Sequence, residues 1–277
     1  MKDLAGRVAV VTGAASGIGR GLVERCAANG MRVVAADVEE GALADTEWAC
    51  RDAGGEAVAV VTDVSDSASV EALAERAWEA FGQADLVCAN AGVWQGGIMW
   101  ERSVEDWEWV LGVNLWGVVH TVRSFVPRML EQGIDGHVVV TSSMAGLLCS
   151  PFSGPYQTSK FAAFGLAESL AHDLAATGAP IGVSVLCPGA VRTQIGTSDR
   201  NRPDELGHPQ AEDTAFVDDA LREITATGLE PPEVADKVLA AVQADEFLVL
   251  THDIGHRVTR HTDDLLTGSL PRMADFT

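Results

Sequence analysis

The stretch RVAVVTGAASGIGRG, residues 7–21, decides the fold. Its first six residues form an apolar, β-branched run that predicts a buried strand, and glycines follow at positions 13, 17 and 19 before a segment of helical composition. Glycines at such a turn allow backbone N–H groups and a helix N-terminus to approach a pyrophosphate. The alternative is a tight turn whose glycines serve packing alone. Their place between a strand and a helix favours a nucleotide site, and the lack of a following Gly-Lys-Ser/Thr argues against a P-loop triphosphatase.

The rest of the chain repeats this alternation of apolar runs and helix-length segments. Runs that are apolar at nearly every position suit strands covered on both faces, and strand–helix alternation implies right-handed crossovers in a parallel sheet. We therefore expect an α/β fold with a doubly wound parallel sheet. The predicted strands are residues 7–12, 31–36, 56–61, 84–89, 136–142, 181–187 and 246–250.

One segment interrupts the alternation. Residues 194–230 are rich in polar and turn-forming residues, and a long excursion inside a compact domain is usually a lid or a binding loop. We interpret this segment as a substrate lid. Because no Pro/Gly/Ser-rich linker divides the chain, we expect residues 1–277 to form a single domain.

Asp37 ends the second predicted strand, 18 residues after Gly19. A carboxylate at this place can accept hydrogen bonds from the hydroxyls of an adenosine ribose and would repel a 2′-phosphate. The residues that follow, Val38, Glu39 and Glu40, supply no cation to reverse this preference. The position favours NAD over NADP, and the alternative is that Asp37 only caps the next helix.

Composition and charge exclude several functional classes. The 277 residues include 19 basic and 40 acidic ones, a net charge of −21, which disfavours nucleic acid and anionic membranes as partners. Five cysteines without a C-x-x-C pair argue against a disulfide framework and a zinc site, and the histidines in THDIGHRVTRH (251–261) are interpreted as non-ligating, so we expect no metal. The N-terminus has no signal-peptide pattern and no run of 18 apolar residues occurs, so we expect a cytoplasmic protein.

Six motifs, in order and at similar intervals, resemble those of the short-chain dehydrogenase/reductase family. They are Thr-Gly-x-x-x-Gly-x-Gly at 12–19, ANAG at 89–92, Asn114 in GVNLWG, VVVTSSMAG at 138–146, Tyr156-x-x-x-Lys160 and PGAVRT at 188–193. The resemblance implies a Rossmann-type fold with strand order 3-2-1-4-5-6-7 and hydride transfer to or from NAD. It also implies a catalytic set of Asn114, Ser143, Tyr156 and Lys160. Together with Asp37, the expected cofactor-binding residues are Gly13, Ser16, Gly17, Ile18, Gly19, Asp63, Val64, Asn90, Ala91, Gly92, Tyr156, Lys160, Pro188, Gly189, Val191 and Thr193.

The chain departs from the family at its C-terminal end. The Gly-Gly pair that members often carry after the last strand is absent from LVLTHDIGHRV, residues 248–258. The sequence therefore leaves the course of residues 251–277 open.

Tyr156 is the only tyrosine of the chain, and it stands four residues before Lys160. Side chains four apart lie on the same face of a helix. Oxidation of an alcohol needs a base for the O–H proton, and a phenol with a pKa near 10 becomes one when positive charge favours the phenolate. We expect that charge from Lys160 and the nicotinamide ring. Ser143 would hold the substrate oxygen, while the resemblance gives Lys160 the nicotinamide ribose and Asn114 a water that links the lysine to solvent.

The residues around the expected nicotinamide end are mostly apolar. We expect Ser143, Trp94, Met144, Cys149 and Ile195 to contact the substrate. Further apolar candidates are Val93, Ile98, Met99, Leu147, Leu148, Phe152 and Phe216. Such a lining gains from burying hydrocarbon and leaves the hydroxyls of a sugar unpaired, so it predicts a bulky apolar secondary alcohol or ketone, cyclic, aromatic or steroid-like. The alternatives are a redox sensor that holds NAD without turnover and a relative acting on a polyol or sugar.

Two apolar segments point to a homo-oligomer. Residues 109–122 are apolar on nearly every side of a predicted helix, and residues 161–170 combine aromatic with small side chains. Such helices need burial on two sides, against the sheet and against another subunit. We expect a homo-oligomer; the family resemblance implies a homotetramer, with a dimer as the alternative.

Overall fold

The computed structural model describes residues 1–207 and 212–272, with the backbone alone at positions 212 and 213. Its centre is a seven-stranded parallel sheet in the order β3-β2-β1-β4-β5-β6-β7, which confirms the predicted doubly wound α/β fold of Rossmann type. The strands are β1 Val8–Thr12, β2 Arg32–Asp37, β3 Glu56–Val61, β4 Leu86–Ala89, β5 Gly136–Thr141, β6 Ile181–Cys187 and β7 Leu248–Leu250.

Helices cover both faces of the sheet. They are α1 Gly17–Ala28, α2 Glu40–Asp52, α3 Ser67–Phe81, α4 Val104–Leu111, α5 Gly117–Gln132, α6 Gly154–Thr177, α7 Glu212–Ala226, α8 Pro231–Ala244 and α9 Gly255–Leu266. Strand β1 shows why its sequence is apolar throughout. Val8 and Val10 lie in the core shared with α3, α5 and α6, while Ala9 and Val11 lie in the core shared with α1, α2 and α8. Alternate residues of a strand point to opposite faces, so both sets are buried.

A π turn at Gly112–Trp116 separates α4 from α5. The sequence predicted one helix through residues 109–122, and the structure shows that this helix is interrupted. The turn contains Asn114, whose amide bonds both the main-chain N–H and the C=O of Val93. Wide turns of this kind are often found at functional sites, and here the turn holds a helix against the segment that follows β4.

The predicted lid, residues 194–230, is largely helical in its described part. A 3-10 helix spans Ile195–Asn201, a second spans Asp204–Leu206, and α7 follows; residues 208–211 lie outside the described residues. The two ends of the lid meet in an isolated parallel bridge between Val191 and Leu229. The polar composition of the segment predicted a loop, but α7 within it is an amphipathic helix with one face turned inwards.

The C-terminal segment continues from β7 into α9. Ile254, just before α9, is buried against Met144 and Leu148, so the chain returns to the segment that follows β5. Residues 273–277 lie outside the described residues. None of the described helices has the length and apolar character needed to cross a bilayer.

Candidate active site

A cavity of about 670 Å³ opens at the carboxyl ends of the strands. Side chains and backbone from the turns after β1, β2, β3, β4, β5 and β6 line it, and the lid closes one side. In an open parallel sheet this edge is where a ligand binds, because the strand order reverses there. The sites that the sequence predicted separately are thus parts of one cavity.

The glycine-rich turn after β1 forms one end of the cavity. A Cβ on Gly13, which has φ +69°, would lie 2.9 Å from the Cα of Ala91, and one on Gly19 would lie 1.9 Å from the carbonyl oxygen of Gly13. Close packing therefore requires these glycines, as the packing interpretation proposed. The turn also leads into α1, whose N-cap residue Ser16 makes no side-chain capping bond. The first N–H groups of α1 thus border the cavity in a geometry that fits an anion such as a pyrophosphate.

Asp37 lines the cavity beside this turn. Its carboxylate oxygens accept hydrogen bonds from the backbone N–H groups of Ala15 at 2.9 Å and Glu39 at 3.0 Å. The N-cap of α2 is Glu39, so the helix-cap interpretation of Asp37 is wrong. Each carboxylate oxygen retains a lone pair, and ribose hydroxyls fit this acceptor. Asp63 also lines the cavity, with its carboxylate accepting hydrogen bonds from Ser65.

Arg200 of the lid also lines the cavity, a cation that the sequence did not predict near Asp37. Its Nε and Nη2 donate to Oε1 of Glu39 at 3.1 and 2.7 Å, and Asn201 donates to the same oxygen at 2.8 Å. The bond to Arg200 is the main cause of the lowered pKa of Glu39. The cation is therefore matched by a carboxylate, and it joins the lid to the loop that follows Asp37.

Tyr156 and Ser143 meet in the middle of the cavity. Ser143 lies beside the phenol and favours its ionised form, and the Ser143 hydroxyl accepts the N–H of Ala145 at 3.1 Å. The neighbouring Ser142 donates to the main-chain carbonyl of Lys160 at 2.7 Å. Both serines line the cavity with the phenol, but the Ser142 hydroxyl is already bonded to the Lys160 carbonyl, so Ser143 is the serine available to a substrate.

Lys160 lies one helical turn beyond Tyr156 on α6. Its Nζ donates to the carbonyl of Thr141 at 3.0 Å and lies 5.6 Å from the centre of the Tyr156 ring. Burial lowers the pKa of Lys160 to about 8, which leaves the ammonium predominantly charged at neutral pH.

The pKa of Tyr156 differs from the sequence prediction. Burial raises it, the hydrogen bond from Ser143 opposes the rise, and the nearby Cys187 adds to it. Lys160 is not among the influences that lower it. Desolvation outweighs the charge expected to favour the phenolate, so the phenol retains its proton in this form of the protein.

Asn114 supports the cavity from behind. It is fully buried, and its side chain bonds Val93 and the hydroxyl of Ser159, the latter at 3.0 Å. The cavity lining does not include it. A Cβ on Gly92 would lie 3.3 Å from Nζ of Lys160 and 3.4 Å from Oδ1 of Asn114, so Gly92 lies between these two side chains.

The remaining predicted cofactor residues also line this cavity. They are Gly17, Ile18, Val64, Asn90, Ala91, Pro188, Gly189, Val191 and Thr193. Asn90 fixes the geometry between β1 and β5, because its Nδ2 donates to the carbonyl of Thr12 at 3.0 Å and its Oδ1 accepts from Thr141 at 3.1 Å.

The structure brings some of the predicted substrate residues to the cavity and leaves others outside it. Trp94, Met144 and Ile195 line the cavity, but Cys149 is exposed and does not. Residues 146–149 turn away from the cavity, where Leu148 packs on Ile254, and the chain returns to the cavity at Ser150. The other expected residues that do not line the cavity are Ile98, Met99, Leu147, Leu148, Phe152 and Phe216.

Helix α7 supplies the side chains that the sequence did not predict. Val217, Leu221 and Ile224 line the cavity, and their spacing of four and three residues places them on one helical face. This periodicity was present in the sequence and could have identified the helix. Opposite them, the loop before α6 contributes Ser150, Pro151 and Ser153.

Comparisons with known proteins agree with this geometry. The family model described as short chain dehydrogenase matches residues 7–204. A solved structure of a short chain dehydrogenase/reductase SDR from Burkholderia phymatum in complex with NAD is 43% identical, with 99% of each chain covered and a TM-score of 0.97.

Two curated relatives cover most of the chain. The 1-deoxy-11-beta-hydroxypentalenate dehydrogenase of Streptomyces avermitilis is 37% identical over 249 residues, which is 88% of this chain and 84% of the relative. The C alpha-dehydrogenase of Sphingobium sp. strain SYK-6 is 31% identical over 277 residues, which is 99% of this chain and 90% of the relative. Both relatives have dehydrogenase names and nearly the same extent as this chain.

Proposed function

The chain belongs to the short-chain dehydrogenase family, and on that premise we propose that it transfers a hydride between NAD and a bulky apolar secondary alcohol or its ketone. The observation that carries the proposal is the grouping of Tyr156, Ser143 and Lys160 in one cavity. The lid helix α7 lines the same cavity with the apolar side chains of Val217, Leu221 and Ile224. The protein is an oxidoreductase by family, and the choice of substrate and the role of Tyr156 are the proposed parts.

NAD is the cofactor. The open first turn of α1 fits its pyrophosphate, and Asp37 offers an acceptor to the adenosine ribose. A neighbour of 43% identity was solved with NAD. When bound, NAD supplies the hydride acceptor and, in its oxidised form, a positive charge that favours the phenolate.

The chain's own residues handle the proton and the substrate oxygen. Ser143 and Tyr156 present two hydroxyls to one point, so a substrate oxygen between them is held by hydrogen bonds as charge develops on it. In oxidation Tyr156 takes the alcohol proton, and in reduction it returns a proton to the carbonyl oxygen. Lys160 contributes its positive charge from within one helical turn.

Asn114 has a different part in this proposal. The hydrogen bonds of its buried side chain hold the main chain of Val93, at the entrance to the substrate end. It therefore positions the segment from which Trp94 and Gly92 reach the cavity. We also propose that it holds the water that links Lys160 to solvent.

The apolar character of the substrate follows from the lid. Val217, Leu221 and Ile224 face the cavity with Trp94 and Met144, and burying hydrocarbon against such a surface contributes about 25 cal/mol per Å². A polyol would leave its hydroxyls without partners there. A relative's name that specifies a hydroxylated substrate supports an alcohol. We propose the lid, residues 194–230, as the specificity element of a single domain.

The test is turnover with matched substrates. Formation of NADH is followed by its absorbance with a cyclic or aryl secondary alcohol and with a polyol of similar size. We expect kcat/KM to favour the apolar alcohol by at least about tenfold. A clear preference for the polyol would contradict the substrate class. Tight NADH binding without turnover of any alcohol or ketone would instead indicate a redox sensor.

A further inference from the structure

Trp94 lies between the lid and the catalytic tyrosine. Its indole ring stands edge-on to the ring of Tyr156, with 4.8 Å between the ring centres and 61° between the planes. On its other side the indole Nε1 donates a hydrogen bond to Oδ1 of Asp218 on α7 at 2.8 Å. One side chain therefore contacts both the lid and the proposed base.

The main chain of Trp94 is also held by the lid. Its N–H donates to the hydroxyl of Ser198 at 2.8 Å, and that hydroxyl donates to the carbonyl of Ile195 at 2.7 Å. Ser198 belongs to the 3-10 helix and Asp218 to α7, so two elements of the lid fix the same residue.

The indole has little room to move. A Cβ added at Gly96 would lie 3.1 Å from Cζ2 of Trp94 and 3.0 Å from Cγ1 of Val217. The ring is thus confined between the backbone at Gly96 and the lid helix, and the hydrogen bond to Asp218 selects its orientation within that space.

Resting on the proposed function, we propose that Asp218 is a positioning residue that acts through Trp94, holding the indole against Tyr156 while the lid is in place. An indole has one N–H donor, so the acceptor on the lid decides how the ring turns. The edge of the ring shields the phenol from water on the lid side. The lid thereby determines the surroundings of the base as well as the shape of the substrate pocket.

The surroundings of Asp218 agree with this assignment. The carboxylate is half-buried, and burial raises its pKa while the bond from Trp94 lowers it. Arg222 pairs with Asp219, although its charge also favours the ionised form of Asp218. Since a half-buried carboxylate is costly unless it is bonded, its hydrogen bond to an indole is a specific arrangement rather than a solvated surface contact.

Two substitutions separate the hydrogen bond from the charge and the volume. Asp218→Leu has nearly the same size but no acceptor, whereas Asp218→Asn loses the charge and retains an acceptor oxygen. We expect Asp218→Leu to lower kcat about five- to tenfold with NADH affinity unchanged, and Asp218→Asn to remain within about twofold of wild type. Glu223→Ala, an exposed change on the same helix, is the control.

A double-mutant cycle shows whether Asp218 acts through Trp94. Trp94→Phe keeps an aromatic ring but removes the donor. If the effect passes through the indole, Asp218→Leu lowers kcat by less than about twofold in the Trp94→Phe background. An equal loss in both backgrounds, or no loss in the wild-type background, would overturn the proposal.

The single tyrosine of the chain gives a readout that needs no turnover. The ultraviolet absorbance of the phenolate reports the ionisation of Tyr156 alone, while circular dichroism confirms that each variant stays folded across the pH range. Because burial raises this pKa, we expect Asp218→Leu to admit water and lower the midpoint by about half a unit or more. Lys160 and Cys187 face the same phenol and are common to all variants.

The two readouts distinguish two kinds of failure. If the wild type turns over no alcohol but the midpoint moves as expected, the proposed function fails and the positioning role of Asp218 stands. If the wild type is active and Asp218→Leu changes neither kcat nor the midpoint, Asp218 has no such role.

Discussion

At the scale of single residues, Tyr156 offers the clearest test of the chemistry. Tyr156→Phe removes the only phenol hydroxyl of the chain but almost none of the volume that packs against Trp94. We expect the variant to fold and to bind NADH with wild-type affinity, while kcat falls by about 10² or more. Stopped-flow or steady-state turnover and NADH titration measure the two quantities. Near-normal turnover would mean that another group is the base.

Asp37 and its surroundings predict the cofactor preference. Its carboxylate lies at the expected ribose, and the nearby Arg200 is already paired with Glu39. We expect kcat/KM with NAD⁺ to exceed that with NADP⁺ by at least tenfold, about 1.4 kcal/mol. Equal use of the two cofactors would show that Arg200 leaves Glu39 to meet the 2′-phosphate.

His137, on β5 and far from the cavity, predicts a pH dependence of stability. It is fully buried, its Nε2 lies 2.8 Å from the hydroxyl of Ser184, and burial is the main cause of its pKa falling to about 4. Between pH 6.5 and pH 4, His137 is protonated in the unfolded chain but stays neutral in the folded chain. The free energy of unfolding should therefore fall between pH 6.5 and pH 4, by about 3 kcal/mol from this group.

The matching variant is His137→Leu, which cannot take up that proton. Urea unfolding followed by fluorescence gives the free energy of unfolding at both ends of this pH range. The protein concentration is kept low, because the net charge becomes smaller in acid and repulsion between molecules weakens. The variant should lose less stability than wild type over this range, and an identical loss in both proteins would contradict the assignment.

The sequence predicted the central residues of the site because they are close together in the chain or belong to a motif of characteristic spacing. Tyr156 and Lys160 share a helical turn, and Ser143 follows a strand. Arg200 was missed because it meets Glu39 from 161 positions away, a distance over which neither periodicity nor local charge gives a signal. The influence of burial on Tyr156 also depends on tertiary packing and could not be predicted from its neighbours.

At the scale of elements, the strands were predictable and the lid was only partly so. A strand buried on both faces must be apolar at nearly every position, which makes its run easy to recognise. Helix α7 is apolar on one face only, and Val217, Leu221 and Ile224 are separated by Asp, Arg and Glu. The segment therefore resembled a polar loop. The π turn at Asn114 had no signal of its own, because its residues also suit a regular helix.

The contact between the lid and the loop after β2 predicts an effect on cofactor release. Glu39→Gln removes the charge that holds Arg200 and weakens the bonds from Asn201. Partly exposed pairs of this kind contribute little to stability, so we expect folding to be unchanged. NADH should dissociate about two- to fivefold faster, as measured by stopped-flow fluorescence. Glu40→Ala, at the exposed neighbouring position, is the control, and equal dissociation rates in all three proteins would contradict this role.

At the scale of the whole molecule, exposed aromatic side chains predict assembly. Phe164 lies in the apolar segment 161–170, but it is unsuitable for a test of assembly. Its ring packs on Phe247 of the same chain with 6.0 Å between ring centres, so a charge there would disturb the protein's own core. Trp116 is 54% exposed between α4 and α5. We expect the wild type to sediment as a tetramer or dimer and Trp116→Glu to lower its mass.

The control for assembly is Trp48→Glu, the same change at a 67% exposed tryptophan on α2. It should leave the sedimentation coefficient unchanged. A wild-type monomer at micromolar concentration would contradict the expected oligomer. Normal assembly of Trp116→Glu would show that Trp116 does not lie at the interface.

The bridge at the base of the lid has a consequence for how this protein can diverge. Leu229 donates to the carbonyl of Ala190 at 3.0 Å and accepts from Arg192 at 2.9 Å, so the chain leaves and rejoins the sheet domain at one point. Insertions between such closed ends cost the scaffold little entropy. A gene copy can therefore exchange this stretch as a cassette and acquire a new substrate while the sheet, the glycine turn and Tyr156 are inherited intact. The residues that must change with the cassette are the scaffold residues that bond it, among them Glu39, Trp94 and Asp106.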